Sequence, residues 1–139
     1  MGASLDDLKD VFTKQVRSVL ELAVPAWNAA LSQTEKKDIE RIQKTALHIM
    51  LGDSYQSYVN ALDKVGLESL DARRHKLCLK FARKAAAHPK HRNWFKLNMN
   101  TVNTWQEKTL YCPVYSNHDR FDRSPLAYLT NVLNNDNKK

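Results

Sequence analysis

The sequence predicts an all-α fold: a compact bundle of about four helices, an extended C-terminal segment and a short last helix. Three observations carry this. Apolar residues recur at intervals of three and four through most of the chain up to Ala87, the period of a helix with one buried face. A serine stands three residues before an acidic residue at the start of two such stretches, the spacing of a capping box. Gly or Pro follows where several stretches end, and both residues stop helices.

The first helix is carried by Leu5, Leu8, Phe12, Val16, Val19, Leu20 and Ala23, with Ser4 and Asp7 as its capping pair. Asp6 and Asp7 suit the positive end of its dipole. Pro25 limits or kinks it, because the residue before a proline is pushed out of the α region. Trp27 and Leu31 are expected to pack inward from the connector. Ser32 and Glu35 open the second helix, in which Ile39, Ile42, Ala46, Ile49 and Met50 form one stripe. Gly52 closes it with a left-handed residue.

A shorter helix spans YQSYVNALDKVG, with Tyr55, Tyr58, Ala61, Leu62 and Val65 on one face and Gly66 at its end. Ser69 caps a fourth helix from Leu70 to Ala87, which Pro89 terminates. Its core face is read as Leu70, Leu77, Cys78, Phe81 and Ala85. Arg74 projects toward that side and is expected to pair with a carboxylate of another helix. Periodicity then fails. The organisation read from this is a helical bundle over 1–96, an extended segment over 97–123 packed on it, a short helix over 124–134 and a disordered tail over 135–139. Ser124 and Pro125 start the last helix, with Leu126, Leu129 and Leu133 inward.

A chain of 139 residues is read as one domain able to bury a core without disulfides or metals. The apolar share of 42% and charged share of 27% exclude a disordered chain, a collagen and a disulfide scaffold. No apolar run is long enough to span a membrane. MGASLDD lacks the features of a signal peptide, and Cys78 and Cys112 form no CxxC. These point to an intracellular protein of cytoplasm or nucleus, with no membrane partner.

The net charge of +7 is unevenly spread. Residues 1–71 carry −3, residues 72–106 carry +9 with no acidic residue, and residues 107–139 carry +1. Charge of one sign gathered in one stretch suits a polyanion. On the fourth helix Arg73, Lys76, Lys80, Arg83 and Lys84 share a face, a stripe that can track phosphates and release their counterions. Lys90, Arg92 and Lys96 follow, interleaved with Trp94 and Phe95. Trp94 is the candidate to stack on an unpaired base. The competing readings are a solvated basic face and aromatic loop anchors.

Catalytic and metal chemistry find little support. His75, Cys78, His88 and His91 are spaced H-x2-C-x9-H-x2-H, but two lie mid-helix and no CxxC accompanies them. Asp119 and Asp122 could hold a metal, yet they alternate with arginines as local ion pairs would. With three glycines there is no phosphate-cradling loop, and no G-x-S-x-G or H-E-x-x-H occurs. No enzyme activity, cofactor, metal or small-molecule substrate is expected.

The phrases VRSVLELAVPAW, DIERIQKTALHIMLG, SYVNAL, GLESLDARRHKLCLKFARKA and SPLAYLTNVLN, in that order, resemble the region downstream of the reverse-transcriptase domain in animal non-LTR retrotransposon polyproteins. The resemblance covers about residues 11–134. Leu22 departs from it, standing where the family has Tyr in a Leu-Glu-Tyr triplet. It implies a helical tail that helps a polymerase hold template and primer, in a truncated copy lacking the palm, with its Tyr-x-Asp-Asp motif, and the endonuclease.

Together these readings predict a non-catalytic module that binds RNA or DNA with low sequence specificity. Its phosphate contacts are Arg73, Lys76, Lys80, Arg83, Lys84, Lys90, Arg92 and Lys96. The alternatives are a module docking on the upstream reverse-transcriptase domain or an acidic partner, and a retrotransposon remnant without independent function.

Overall fold

The structure is a computed structural model that describes residues 3–99, 109–114 and 123–137. Among these the chain is all-α, with six helices, short 3-10 turns and one isolated antiparallel bridge. It divides into two units, Met1–Val24 with Leu31–His75, and Pro25–Ala30 with Lys76–Lys139.

In the first unit, helix α1 runs without a break through an α segment Leu5–Val11, a π turn Phe12–Val16 and an α segment Arg17–Leu20. The Ser4–Asp7 capping box forms, with the Asp7 N–H donating to Ser4 Oγ at 3.2 Å. The π turn corrects the expected stripe. The Arg17 N–H reaches back to the Phe12 carbonyl, which inserts one residue and rotates all that follows. Phe12 is buried, whereas Val16 and Val19 turn outward, Val19 being 71% exposed. Ala23 at φ +51° ends the run in the left-handed region that alanine seldom adopts. Pro25 then sits in the first turn of α2 (Val24–Trp27), where its missing N–H is no loss.

Helix α3 (Gln33–Leu51) has the Ser32–Glu35 capping box; Gly52 ends it at φ +50° and ψ −127°, outside the left-handed helical conformation expected of it, and opens a 3-10 turn over Gly52–Ser54. Its buried line is Gln43 and Leu47, while Ile42 and Ile49, expected inside, are exposed. The cause is polar. Glu40 and Gln43 are turned inward to serve backbone groups near residue 70, and the helix rotates with them. Helix α4 (Tyr58–Val65) begins three residues later than read, capped by Ser57, and Gly66 closes it at φ +67°. Tyr55 lies ahead of it, its ring stacked on His48 at 3.5 Å. Leu47, Ala61 and Val65 form the core of this unit, with Met50, Leu51, Tyr58 and Leu62 packed around them.

Helix α5 (Leu70–Ala87) has the bounds read from the sequence. All four N–H groups of its first turn find acceptors. Leu70 and Asp71 donate to the Glu40 carboxylate at 3.1 and 3.2 Å, Ala72 to Ser69 Oγ at 3.2 Å, and Arg73 to the Ser69 carbonyl at 3.0 Å. A carboxylate here also faces the positive end of the helix dipole. The same Glu40 accepts from the Tyr58 hydroxyl.

Burial first, and the bond to Glu40 second, push the Tyr58 phenol well above its ordinary value of 10.0. The unfolded chain therefore loses this proton first as pH rises. Its contribution to stability is complete below about pH 10 and declines above it. Urea midpoints are expected to fall more steeply above about pH 10 in the wild type than in Tyr58→Phe. Parallel curves for the two proteins would refute this.

In the second unit, Cys78, Ala82 and Ala85 of α5 are buried, as are Phe95 and, from α6 (Pro125–Asp136), Leu129, Val132 and Leu133. Helix α6 packs on the 3-10 turn Asn28–Ala30. Ser124 caps α6 and Pro125 opens it, as read. It continues through Asn135 and Asp136, which the sequence reading placed in a disordered tail. Arg83 holds that end, its Nε donating to Asp136 Oδ2 at 3.0 Å. Among the described residues a single antiparallel bridge pairs Leu97 with Tyr111; most of the expected extended segment over 97–123 lies outside them. Asp119 and Asp122 lie outside the described residues.

Candidate nucleic-acid interface

The buried line of α5 is Leu70, Arg74, Cys78, Ala82 and Ala85. This corrects the expected core face: Leu77 is half-buried and Phe81 is 42% exposed. Leu70, Cys78 and Ala85 are buried as expected, but the small side chain of Ala82 rather than the bulky Phe81 takes the inward position beside them. Arg74 is 2% exposed, and its Nη2 donates to Asp71 Oδ1 at 3.0 Å. The partner expected from another helix is instead one turn back on the same helix, where i, i+3 neighbours meet.

The predicted phosphate contacts separate by what they touch. Arg73 belongs to the first unit and donates from Nε and Nη2 to Glu21 at 2.7 and 3.2 Å. Arg17 joins the same carboxylate at 3.3 Å. The bond to Glu21 raises the Arg73 pKa above its ordinary value. Arg83 is paired with Asp136. Both guanidiniums are thus occupied by carboxylates more than 50 positions away in sequence.

The remaining six cations all lie in the second unit. Lys76, Lys80 and Lys84 follow one another at intervals of four, about 6 Å apart along the axis of α5. All three are exposed. Lys80, Lys84, Lys90, Arg92 and Lys96 make no ion pair with a described residue.

After Ala87 the chain folds into a tight turn. His91 and Arg92 donate to the His88 carbonyl, Trp94 to that of His91, and Phe95 to that of Arg92. The Lys90 N–H donates to His88 Nδ1 at 3.2 Å, so in its neutral form this ring carries its proton on Nε2. The rings of His88, His91 and Trp94 form a ladder with centroids 4.9 and 4.5 Å apart. Trp94 therefore has one side against His91 and is 47% exposed. Phe95 is buried. Sequence reasoning missed Phe81, which stands out from α5 about 60° around the axis from Lys84. Its assignment to the core hid it.

No family model, curated protein or solved structure matches the chain. Among the described residues no three His, Cys, Asp or Glu side chains converge as a metal-binding group. Neither Cys78 nor Cys112 forms a disulfide, and Cys78 is buried. No described helix is long and apolar enough to cross a membrane.

Proposed function

We propose that the second unit binds RNA or DNA through its phosphates, with low sequence specificity. The observation that carries this is the set of exposed cations Lys80, Lys84, Lys90, Arg92 and Lys96, none paired with a described carboxylate. Lys76 extends the row on α5. Arg73 and Arg83 leave the contact set because each already has a carboxylate partner. Trp94 and the exposed Phe81 are aromatic surfaces on which unpaired bases could stack. Phosphate contacts position a strand without reading its sequence, which is why specificity is expected to be low. The resemblance to the segment downstream of a reverse transcriptase supports the same reading, that of a tail holding template and primer beside a polymerase.

The test is fluorescence anisotropy of labelled single-stranded RNA, single-stranded DNA and duplex across a salt series. Five phosphate contacts on a single strand give a slope of about −3.5 in log K against log salt. The variant Lys80→Glu/Lys84→Glu/Arg92→Glu is expected to flatten that slope by about 2 or more. No binding at low salt, or an unchanged slope in the variant, would overturn the proposal.

A second reading has its own observation. Beyond the π turn, Val19 is 71% exposed and Leu22 is 73% exposed, and Val11 before it is 58% exposed. An apolar stretch of this kind suits docking on another protein, here a reverse-transcriptase domain. Val11→Asp/Val19→Asp would then abolish co-purification with that domain and leave nucleic-acid binding intact. Unchanged co-purification would dismiss it.

A further inference from the structure

The second unit contains a cavity of about 600 Å³, within the range of sites that hold small organic groups. Phe95, Leu97, Met99 and Tyr111 supply its apolar walls, and Arg92 and Lys96 its charges. We propose that it holds one unpaired base of a bound strand, with the adjoining phosphate on Arg92 and Lys96. This rests on the nucleic-acid reading above and moves the base contact from Trp94, where the sequence placed it, to the other side of Phe95 in sequence.

Four features support this occupant. Among the described residues the lining contains two cations and no carboxylate, so its charge complements an anion. Phe95 and Tyr111 meet edge to face at 5.9 Å, and each ring braces the other. Leu97 and Met99 are 56% and 82% exposed, so apolar surface meets water where a planar base could cover it. Asn93, also in the lining, offers both an amide donor and an acceptor to the edge of any base.

The walls are held from two sides. Cys112 N–H donates to the Lys96 carbonyl at 2.8 Å, and Asn98 N–H to the Leu110 carbonyl at 2.9 Å, which pairs 96–98 with 110–112. From α6, the Asn134 amide accepts from the Tyr111 N–H at 2.9 Å and donates to its carbonyl at 3.1 Å. A site built this way is formed before its ligand arrives, and pre-organisation lowers the cost of binding.

The experiment compares two strands of equal length and charge, an intact oligothymidylate and one that is abasic at every position. Both should bind with parallel salt slopes, because their phosphates are the same. The intact strand should bind about tenfold more tightly, the increment of one stacked base. Leu97→Gln/Met99→Gln, which alters only exposed side chains, should erase that increment and leave the slope unchanged. Ala86→Leu, filling the cavity from α5, should do the same. Equal affinity for the two strands would overturn the cavity assignment while leaving phosphate binding intact. An increment that survives both variants would place the base elsewhere and also overturn it. Failure of both strands to bind at low salt would remove the functional reading itself, and this proposal with it.

Discussion

Glu40→Ala is expected to lower the stability of the first unit by about 3 kcal/mol, read as the shift in a urea unfolding curve. The carboxylate accepts from three donors at once: the Tyr58 hydroxyl and the Leu70 and Asp71 N–H groups. Hydrogen bonds to a charged acceptor are the stronger kind, and a buried donor left without one carries its full desolvation cost. Leu70 is 1% exposed, so water cannot readily replace Glu40 at its N–H. Glu40→Gln keeps one carbonyl oxygen and loses the charge, so its loss should be about half as large. An unchanged unfolding midpoint in Glu40→Ala would show that α5 does not depend on this carboxylate for its start.

Asn134→Leu is expected to cost the second unit about 2 kcal/mol, because two bonds to the Tyr111 backbone disappear together. The residue is 5% exposed, and leucine keeps the branching and heavy-atom count of the side chain without its amide. Hydrogen exchange at the Tyr111 amide should accelerate, since its acceptor is removed. The functional consequence separates this variant from ordinary core damage. Phosphate binding through Lys80 and Lys84 should persist, while the preference for an intact over an abasic strand should fall, because Tyr111 is a wall of the cavity. Retention of both the slow exchange and the preference would show that Asn134 does not position that wall.

Much of the candidate interface was legible in advance because charge is additive along a sequence. Nine cations without an acid between residues 72 and 106 mark the region whatever its fold. Which of those cations are paired was not legible. Arg73 and Lys80 fall on the same face of α5 by periodicity, yet one meets Glu21 and the other meets no described carboxylate. Phe81 was hidden by its own hydrophobicity, which reads as core until the small side chain of Ala82 is seen to take that place. The cavity was not legible either. Apart from Ala86 of α5, its walls come from Arg92, Asn93, Phe95, Lys96, Leu97, Met99 and Tyr111, in a stretch with no period to read.

The sequence by itself marked four helix starts and two helix ends. Ser4, Ser32, Ser69 and Ser124 cap, and Gly52 and Gly66 stop, because these interactions close within three or four residues of chain. It also determined the sign of the basic segment. The tertiary structure decided which side of each helix is buried. Polar demands overruled hydrophobic spacing there: Glu40 and Gln43 turned α3 inward, and the π turn rotated the second half of α1. It also decided which guanidiniums are paired, since their carboxylates lie more than 50 residues away. Periodicity records only neighbours one or two turns apart, so contacts over such separations leave no mark in it.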